Sequence, residues 1–379
     1  MRRLITRIDI VLPDRLEHDA SLLIEDERIL AICPSAPRYD RELDGEGALC
    51  LPGLIDLHCD AIEKEIEPRP RVAFDHRFAL ENSDRRNLAA GITTVYHAVS
   101  FATGEWGVRD PEIAAALVRQ IRAFSGCVEH RVHVRCEVTD AVGEGTVRRV
   151  LEDGLCDLLS FMDHSPGQGQ FRDLAAYVAY MTRTYHVSEA EARRAADLKV
   201  AAQPEVPARE ARLAALARQR GIAMASHDDD SAERVARMAS LGVTISEFPI
   251  NLTAARAACQ AGMVTLFGAP NILRGASSSG NIRALDAVHA GVCRGLCADY
   301  HPPSLLAAAL RLPAIAPLTL PEAVQLVTWQ PARAAGLHDR GAIQPQLRAD
   351  LVLVRGQRVE AVLVAGRKVF DTVDRLACA

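Results

Sequence analysis

The chain has 379 residues, a formal net charge of −5 and 49% hydrophobic residues, enough to bury a large core as one large domain or two ordinary ones. Mild acidity without a basic face argues against a protein that coats nucleic acid, and ten cysteines are too dilute for a disulfide scaffold at this length. No CxxC pair occurs and Cys293-x₃-Cys297 lacks a partner cluster, so a structural zinc on thiolates is not expected.

Charges interrupt the apolar residues of Met1–Asp9, which therefore do not read as a signal h-region. No apolar run approaches the ~18 residues of a membrane span, and a cytoplasmic location is the expectation. Residues 1–50 alternate short β-rich runs (Leu22-Leu23-Ile24, Arg28-Ile29-Leu30-Ala31-Ile32) with turn residues, as small antiparallel strands do. The C-terminus repeats the pattern over Leu351–Val354, Val359–Val364 and Arg367–Phe370. Two β-rich ends around a different middle predict one composite β-sandwich domain, from 1–50 plus 341–379.

Between them, 51–340 alternates strands with amphipathic helices. The strand candidates are Leu54–His58, Ile92–Ala98, Val132–Val138, Leu158–His164, Ile222–His227, Val243–Phe248, Val264–Gly268 and Leu296–Asp299. Several are continuous apolar runs, as strands buried on both faces should be. Helices are expected over Pro111–Phe124 and Ala208–Arg220. The fold class predicted is α/β: a (β/α)₈ TIM-like barrel carrying a small β-sandwich domain formed by both chain termini. An insertion at about 165–207, with Tyr177, Tyr180, Tyr185 and a charged helix over 188–199, follows the fourth strand. Its length suits a lid beside the barrel mouth or a plain surface elaboration.

Polar residues gather at the strand ends. Leu51-Pro52-Gly53-Leu54-Ile55-Asp56-Leu57-His58-Cys59-Asp60 ends in His-x-Asp, two residues that share one face of an extended strand. The third strand ends in Glu137, the fourth in Asp163-His164, the fifth in His227 followed by Asp228 and Asp229, the sixth in Glu247 and the eighth in Asp299. A lone strand-end His is more often structural and a lone Asp often caps a helix. Six of eight strands ending this way is what a divalent metal needs at the C-terminal mouth of a barrel. Imidazole and carboxylate suit Zn²⁺, with Mn²⁺ or Fe²⁺ as alternatives, in one ion or two. His58, Asp60, Glu137, His227, Glu247 and Asp299 are the expected metal ligands. Asp299 is also the candidate base, because a carboxylate beside an acidified water can take its remaining proton. His164 either ligates metal or donates a proton.

The Pro-Gly-Leu-Ile-Asp-Leu-His opening, Gly91-Ile92-Thr93-Thr94-Val95, Thr328-Trp329-Gln330-Pro331-Ala332 and Asp339-Arg340-Gly341 before Ala349-Asp350-Leu351-Val352 together resemble the amidohydrolase superfamily. The resemblance implies a metal-dependent hydrolase barrel with a composite β-domain. Glu63-Lys64, Met162-Asp163-His164-Ser165-Pro166-Gly167-Gln168, Ser226-His227-Asp228-Asp229, Ser246-Glu247-Phe248-Pro249, Gly268-Ala269-Pro270-Asn271, Arg274-Gly275 and Ser279-Gly280-Asn281 are similar to its phosphonate-metabolism branch. That branch implies hydrolysis of the α,β-phosphoanhydride of α-D-ribose 1-methylphosphonate 5-triphosphate to the 5-phosphate and diphosphate. Ser278 stands where the branch pattern has His, and Cys59 and Ala61 where Thr and Asn are expected. No lysine lies on the third or fourth strand, which leaves Glu137 as the expected bridging carboxylate.

A triphosphate needs cations and backbone donors near the metal. Lys64, Arg69, Arg274, Ser279, Gly280 and Asn281 are the expected substrate-binding residues. The expected partner is a small phosphorylated sugar, with no nucleic acid and no membrane, and with homo-oligomerisation left open. The competing classes are a cyclic amide or deaminase-type hydrolase, in which the same metal site attacks carbon, and a non-catalytic barrel scaffold.

Overall fold

The computed structural model describes all residues except 36, 70–71, 104–106, 170, 172, 186, 278–279 and 373–379. Four strands open the chain: β1 (Arg2–Val11), β2 (Leu16–Glu25), β3 (Arg28–Ile32) and β4 (Arg41–Pro52). Eight follow in the middle: β5 (Leu54–Cys59), β6 (Ile92–Phe101), β7 (Glu129–Glu137), β8 (Leu158–Met162), β9 (Ala223–His227), β10 (Ile245–Glu247), β11 (Val264–Gly268) and β12 (Gly295–Cys297). The chain returns through β13 (Leu351–Arg355), β14 (Arg358–Val364) and β15 (Arg367–Asp371).

The terminal strands form one seven-stranded sheet in the order β15-β14-β13-β4-β1-β2-β3. Its junction is the antiparallel pairing of β13 with β4, Leu351 opposite Pro52 and Leu353 opposite Cys50. The sheet folds over its own apolar cluster, which includes Ile5, Ile8, Ile10, Leu22, Ile24, Ile29, Cys50, Leu351 and Leu363. This is the composite β-sandwich expected from the two β-rich ends.

Strands β5 to β12 are parallel and adjacent in chain order, with helices between them. Cys59 bridges Asp299 in parallel register, and the Asp299 N–H donates to the His58 carbonyl at 2.9 Å while the Asp60 N–H donates to the Asp299 carbonyl at 3.1 Å. Those bonds close the eight strands into a (β/α)₈ barrel. All eight strand expectations meet a strand, but β8 ends at Met162, two residues before His164, and β12 stops short of Asp299. It ends at Cys297 because Asp299 turns into the left-handed region, φ 58°.

Helix starts follow local chemistry. Pro111–Ala123 begins behind Asp110, whose carboxylate accepts from the Glu112 and Ile113 N–H groups, with Pro111 in the first turn where no donor is needed. Gly53 joins the two sheets. A Cβ there would lie 2.2 Å from Thr93 Oγ1 and 2.9 Å from Asp350 Cβ, so only glycine lets β4 run straight into β5. Inside the barrel, Ile55, Leu57, Tyr96, Leu158, Ala225, Ile245 and Leu266 pack into a dry plug, on which the polar strand ends rest. No helix among the described residues is long and apolar enough to cross a membrane.

Candidate metal and anion site

Period-two geometry along the barrel strands sets the site. On β7, His133, Arg135 and Glu137 share the inward face, while Val134 and Cys136 alternate into the apolar layer under the helices. His58 enters from β5, His227 from β9 and Glu247 from β10. Three non-glycine residues at the strand ends hold positive φ: Asp228 at 56°, Phe248 at 53° and Asp299 at 58°. The neighbouring strands fix them, with the Asp228 N–H donating to the Glu247 carbonyl (2.9 Å) and the Phe248 N–H to the Leu266 carbonyl (2.8 Å). Such strain persists only where surroundings impose it, and it gathers at working sites.

The buried centre is rich in lone pairs. His58 Nδ1 lies 3.1 Å from Glu247 Oε1, and Ser160 Oγ donates to Glu247 Oε2 at 2.8 Å. His133 donates its Nδ1–H to the Leu57 carbonyl at 3.0 Å, which leaves Nε2 as a lone pair 3.6 Å from Glu247 Oε2. Burial pushes His133 down to about 3 and His58 well below the ordinary imidazole range, the latter helped by the Arg135 charge, so both rings are neutral. His133 Nε2 is buried without a hydrogen-bond partner among the described residues, and His227 Nδ1 lies 3.0 Å from Asp228 Oδ2. Neutral imidazoles and carboxylates gathered at one point are a donor set that fits a divalent cation. His58, His227 and Glu247 have ligand atoms within 4.8 Å of one another, and so do His164, His227 and Asp228.

Glu137 is differently engaged. Thr139 Oγ1 donates to its Oε1 at 2.6 Å, Lys199 Nζ sits 3.0 Å from Oε2 and His164 Nδ1 3.2 Å from the same oxygen. Burial would raise this carboxyl, but Lys199 above all, then His164 and Thr139, hold it far below the ordinary range. Lys199 comes from the helix Glu189–Ala202 of the insertion after β8. The lysine that reaches Glu137 thus lies on neither the third nor the fourth strand. Burial, reinforced by the Asp60 charge, pushes Asp299 up to about 8, an elevation that a bound cation would reduce.

A cavity of about 300 Å³ opens over this centre. His58, Asp60, His164, His227 and Asp299 form its floor, and after β11 Arg274, at the end of the short helix Ala269–Arg274, and Asn281, in the loop beyond it, line it. Phe171, Tyr177, Tyr180, Met181 and Tyr185 of the insertion form one wall. That segment therefore flanks the mouth and contributes side chains to it. Gly280 is exposed, and Ser278 and Ser279 lie outside the described residues. Lys64, on the short helix Ile62–Ile66, and Arg69 are exposed and do not line the cavity. The structure supplies other cations. Arg109 lines the cavity but is held by Glu63, at 3.0 Å and 2.9 Å, and by the Tyr185 hydroxyl. Arg135 lines it from β7. The alternation that exposes Glu137 to the barrel interior also exposes Arg135 and His133, and that signal was present in the sequence. Asp228 was visible only as the neighbour of His227.

A sequence model described as "Amidohydrolase family" matches residues 49–369. The alpha-D-ribose 1-methylphosphonate 5-triphosphate diphosphatase of Escherichia coli (strain K12) is 38% identical over 379 residues, covering 97% of this chain and 100% of that protein. Among solved structures, a Xaa-Pro dipeptidase with methionine bound in its active site superposes with a TM-score of 0.68 at 15% identity, over 98% of this chain and 100% of that one. The N-acetyl-D-glucosamine-6-phosphate deacetylase from Mycobacterium smegmatis does so with 0.61 at 18% identity, again over 98% and 100%. At these identities the likeness to both structures is one of fold.

Proposed function

This chain belongs to the amidohydrolase family, and we propose that it hydrolyses the α,β-phosphoanhydride of α-D-ribose 1-methylphosphonate 5-triphosphate, releasing diphosphate and leaving the 5-phosphate. The observation that carries this reading is the near-full-length 38% identity to a protein named for that activity. The pocket supports it with a floor of His and Asp side chains under walls that bear Arg109, Arg135 and Arg274.

His58, His227 and Glu247 would hold one divalent ion, for which zinc is our choice, and the group His164, His227 and Asp228 offers a second set of donors that shares His227. Such an ion supplies Lewis acidity toward a phosphoryl oxygen and makes a nearby water acidic. Asp299, anchored through its backbone to His58 and Asp60 at the rim, takes the proton from the attacking water at its carboxylate. Glu247 is positioned for ligation by its contacts with His58 and Ser160. His164, held by Glu137 Oε2, orients toward the departing diphosphate. Diphosphate is already a fair leaving group, so cations that hold its charge matter more than a proton donor. The aromatic wall of the insertion shields the ribose side from water.

The test is direct. Metal-loaded protein is incubated with the ribose methylphosphonate triphosphate, and released diphosphate is followed beside ammonia release and ring opening from amide and purine substrates. Diphosphate release with turnover supports the assignment. Turnover of a cyclic amide or a purine in its place would replace it.

A further inference from the structure

Arg135 is an unusual residue to find inside a barrel. It is 7% exposed, it lines the cavity, and its Nε is buried without a hydrogen-bond partner among the described residues. Its guanidinium donates from Nη2 to His227 Nε2 at 3.3 Å. Among the described residues no carboxylate approaches it within the 4.0 Å of an ion pair. Asp60, Asp228 and Asp299 share the cavity, yet each stands beyond that distance.

A guanidinium cannot shed its proton to relieve burial. A buried charge without a partner is strongly unfavourable, so evolution keeps one only where something supplies the opposite charge. The other cavity cations do not share this condition. Arg109 is already neutralised by Glu63 in a two-bond pair, and Arg274 is exposed with its Nη1 donating to the Tyr300 hydroxyl at 3.4 Å. Arg135 is also the deepest of the three by position, because it sits on β7 itself, between His133 and Glu137, whereas the others come from loops and short helices above the rim. An anion that reached it would lie directly against His227.

We propose that Arg135 is the anion anchor of this pocket, binding an oxygen of the phosphoryl group that is attacked, with the planar fork of the guanidinium meeting two oxygens. Arg274 and Asn281, nearer the mouth, then meet the outer phosphates. The identity of the phosphoryl group rests on the phosphoanhydride reading above, but the unpaired buried cation does not.

The test uses metal-loaded protein and inorganic phosphate as the probe, with Arg135→Met, which keeps length and loses charge, and Arg135→Lys, which keeps charge and loses the fork. Three quantities are read for each: metal content by elemental analysis, phosphate affinity by calorimetry, and kcat and KM with the triphosphate. The expected result for Arg135→Met is unchanged metal content, phosphate affinity lowered at least ~10-fold and kcat/KM lowered roughly 100-fold or more, in line with loss of a charge-assisted contact to a reacting group. Arg135→Lys should recover part of the phosphate affinity and little of kcat. Phosphate affinity in Arg135→Met equal to that of the wild type overturns the proposal. So does loss of bound metal in step with loss of phosphate, because Arg135 would then act by holding His227. If the triphosphate is not hydrolysed while phosphate still binds through Arg135, the anchor stands and the substrate assignment fails.

Discussion

Glu129 offers a quantitative test of how the barrel is tied to the terminal sheet. It opens β7 at the barrel floor and meets three arginines. Arg340 and Arg348, on the segment returning to β13, both bond its Oε2, and Arg131 Nε donates to Oε1 at 2.7 Å. Arg340 is 5% exposed and also reaches Thr94 Oγ1 on β6 at 3.1 Å. Burial would raise the Glu129 carboxyl, but Arg340 first and the other two after it pull it from 4.5 to about 2. At about 1.36 kcal/mol per tenfold change in proton affinity, this is roughly 3 kcal/mol of stability at neutral pH. An exposed pair gives ~0–1 kcal/mol.

Glu129→Gln keeps the shape and removes the charge. Unfolding entropy of about 2.1 cal/mol/K per residue gives ~0.8 kcal/mol/K for a chain of this length, so Tm should fall by about 4 °C at pH 7. Because the folded-state pKa is depressed, the wild-type advantage is complete above the ordinary value of 4.5 and disappears as pH falls toward about 2. The difference in Tm between the two proteins, followed by calorimetry, should be flat from pH 8 to pH 5.5 and narrow below pH 4.5. A decrease under about 1 °C at pH 7, or a gap that stays constant into acid, would refute the reasoning.

The remaining expectations concern the site. Glu247→Ala should lower metal affinity by at least ~10–100-fold, read by elemental analysis after dialysis, since it removes the carboxylate facing both His58 and His133; full metal content would take Glu247 out of the ligand set. Asp299→Asn should retain metal and lose ~10²–10⁴ in kcat, and near-normal turnover would remove its role as base. Lys64→Ala should leave KM for the triphosphate unchanged because Lys64 is exposed and outside the cavity wall. Arg274→Ala should raise KM by roughly tenfold, the worth of one charge-assisted hydrogen bond, and steady-state kinetics on the two variants separate these outcomes. Chelation should abolish turnover, and the ion that restores it best identifies the metal.

Much of the fold was legible because it is written locally. Largely apolar runs such as Leu158–Met162, and alternation such as Val134 against Arg135, report burial on both faces or on one, and strand identity follows from that. The same period-two rule put His58, Glu137, His227 and Glu247 on barrel strands, with Asp299 close behind the last one. The cations behaved otherwise. Lys64 and Arg69 lie within a dozen residues of His58 in the chain, but the segment after Asp60 coils into the short helix Ile62–Ile66 and leaves both in solvent. Lys199, 62 positions beyond Glu137 and on another element, is the residue that pairs with it.

The sequence by itself therefore determined the strands, the two-sheet plan and the inward-facing ligand types, because each depends on neighbours one to four residues away. Only the tertiary structure decided which cation meets which carboxylate, which arginine is left without one, and that Glu137 is occupied by lysine. Those outcomes depend on distances between elements far apart in the chain, and no local pattern encodes them.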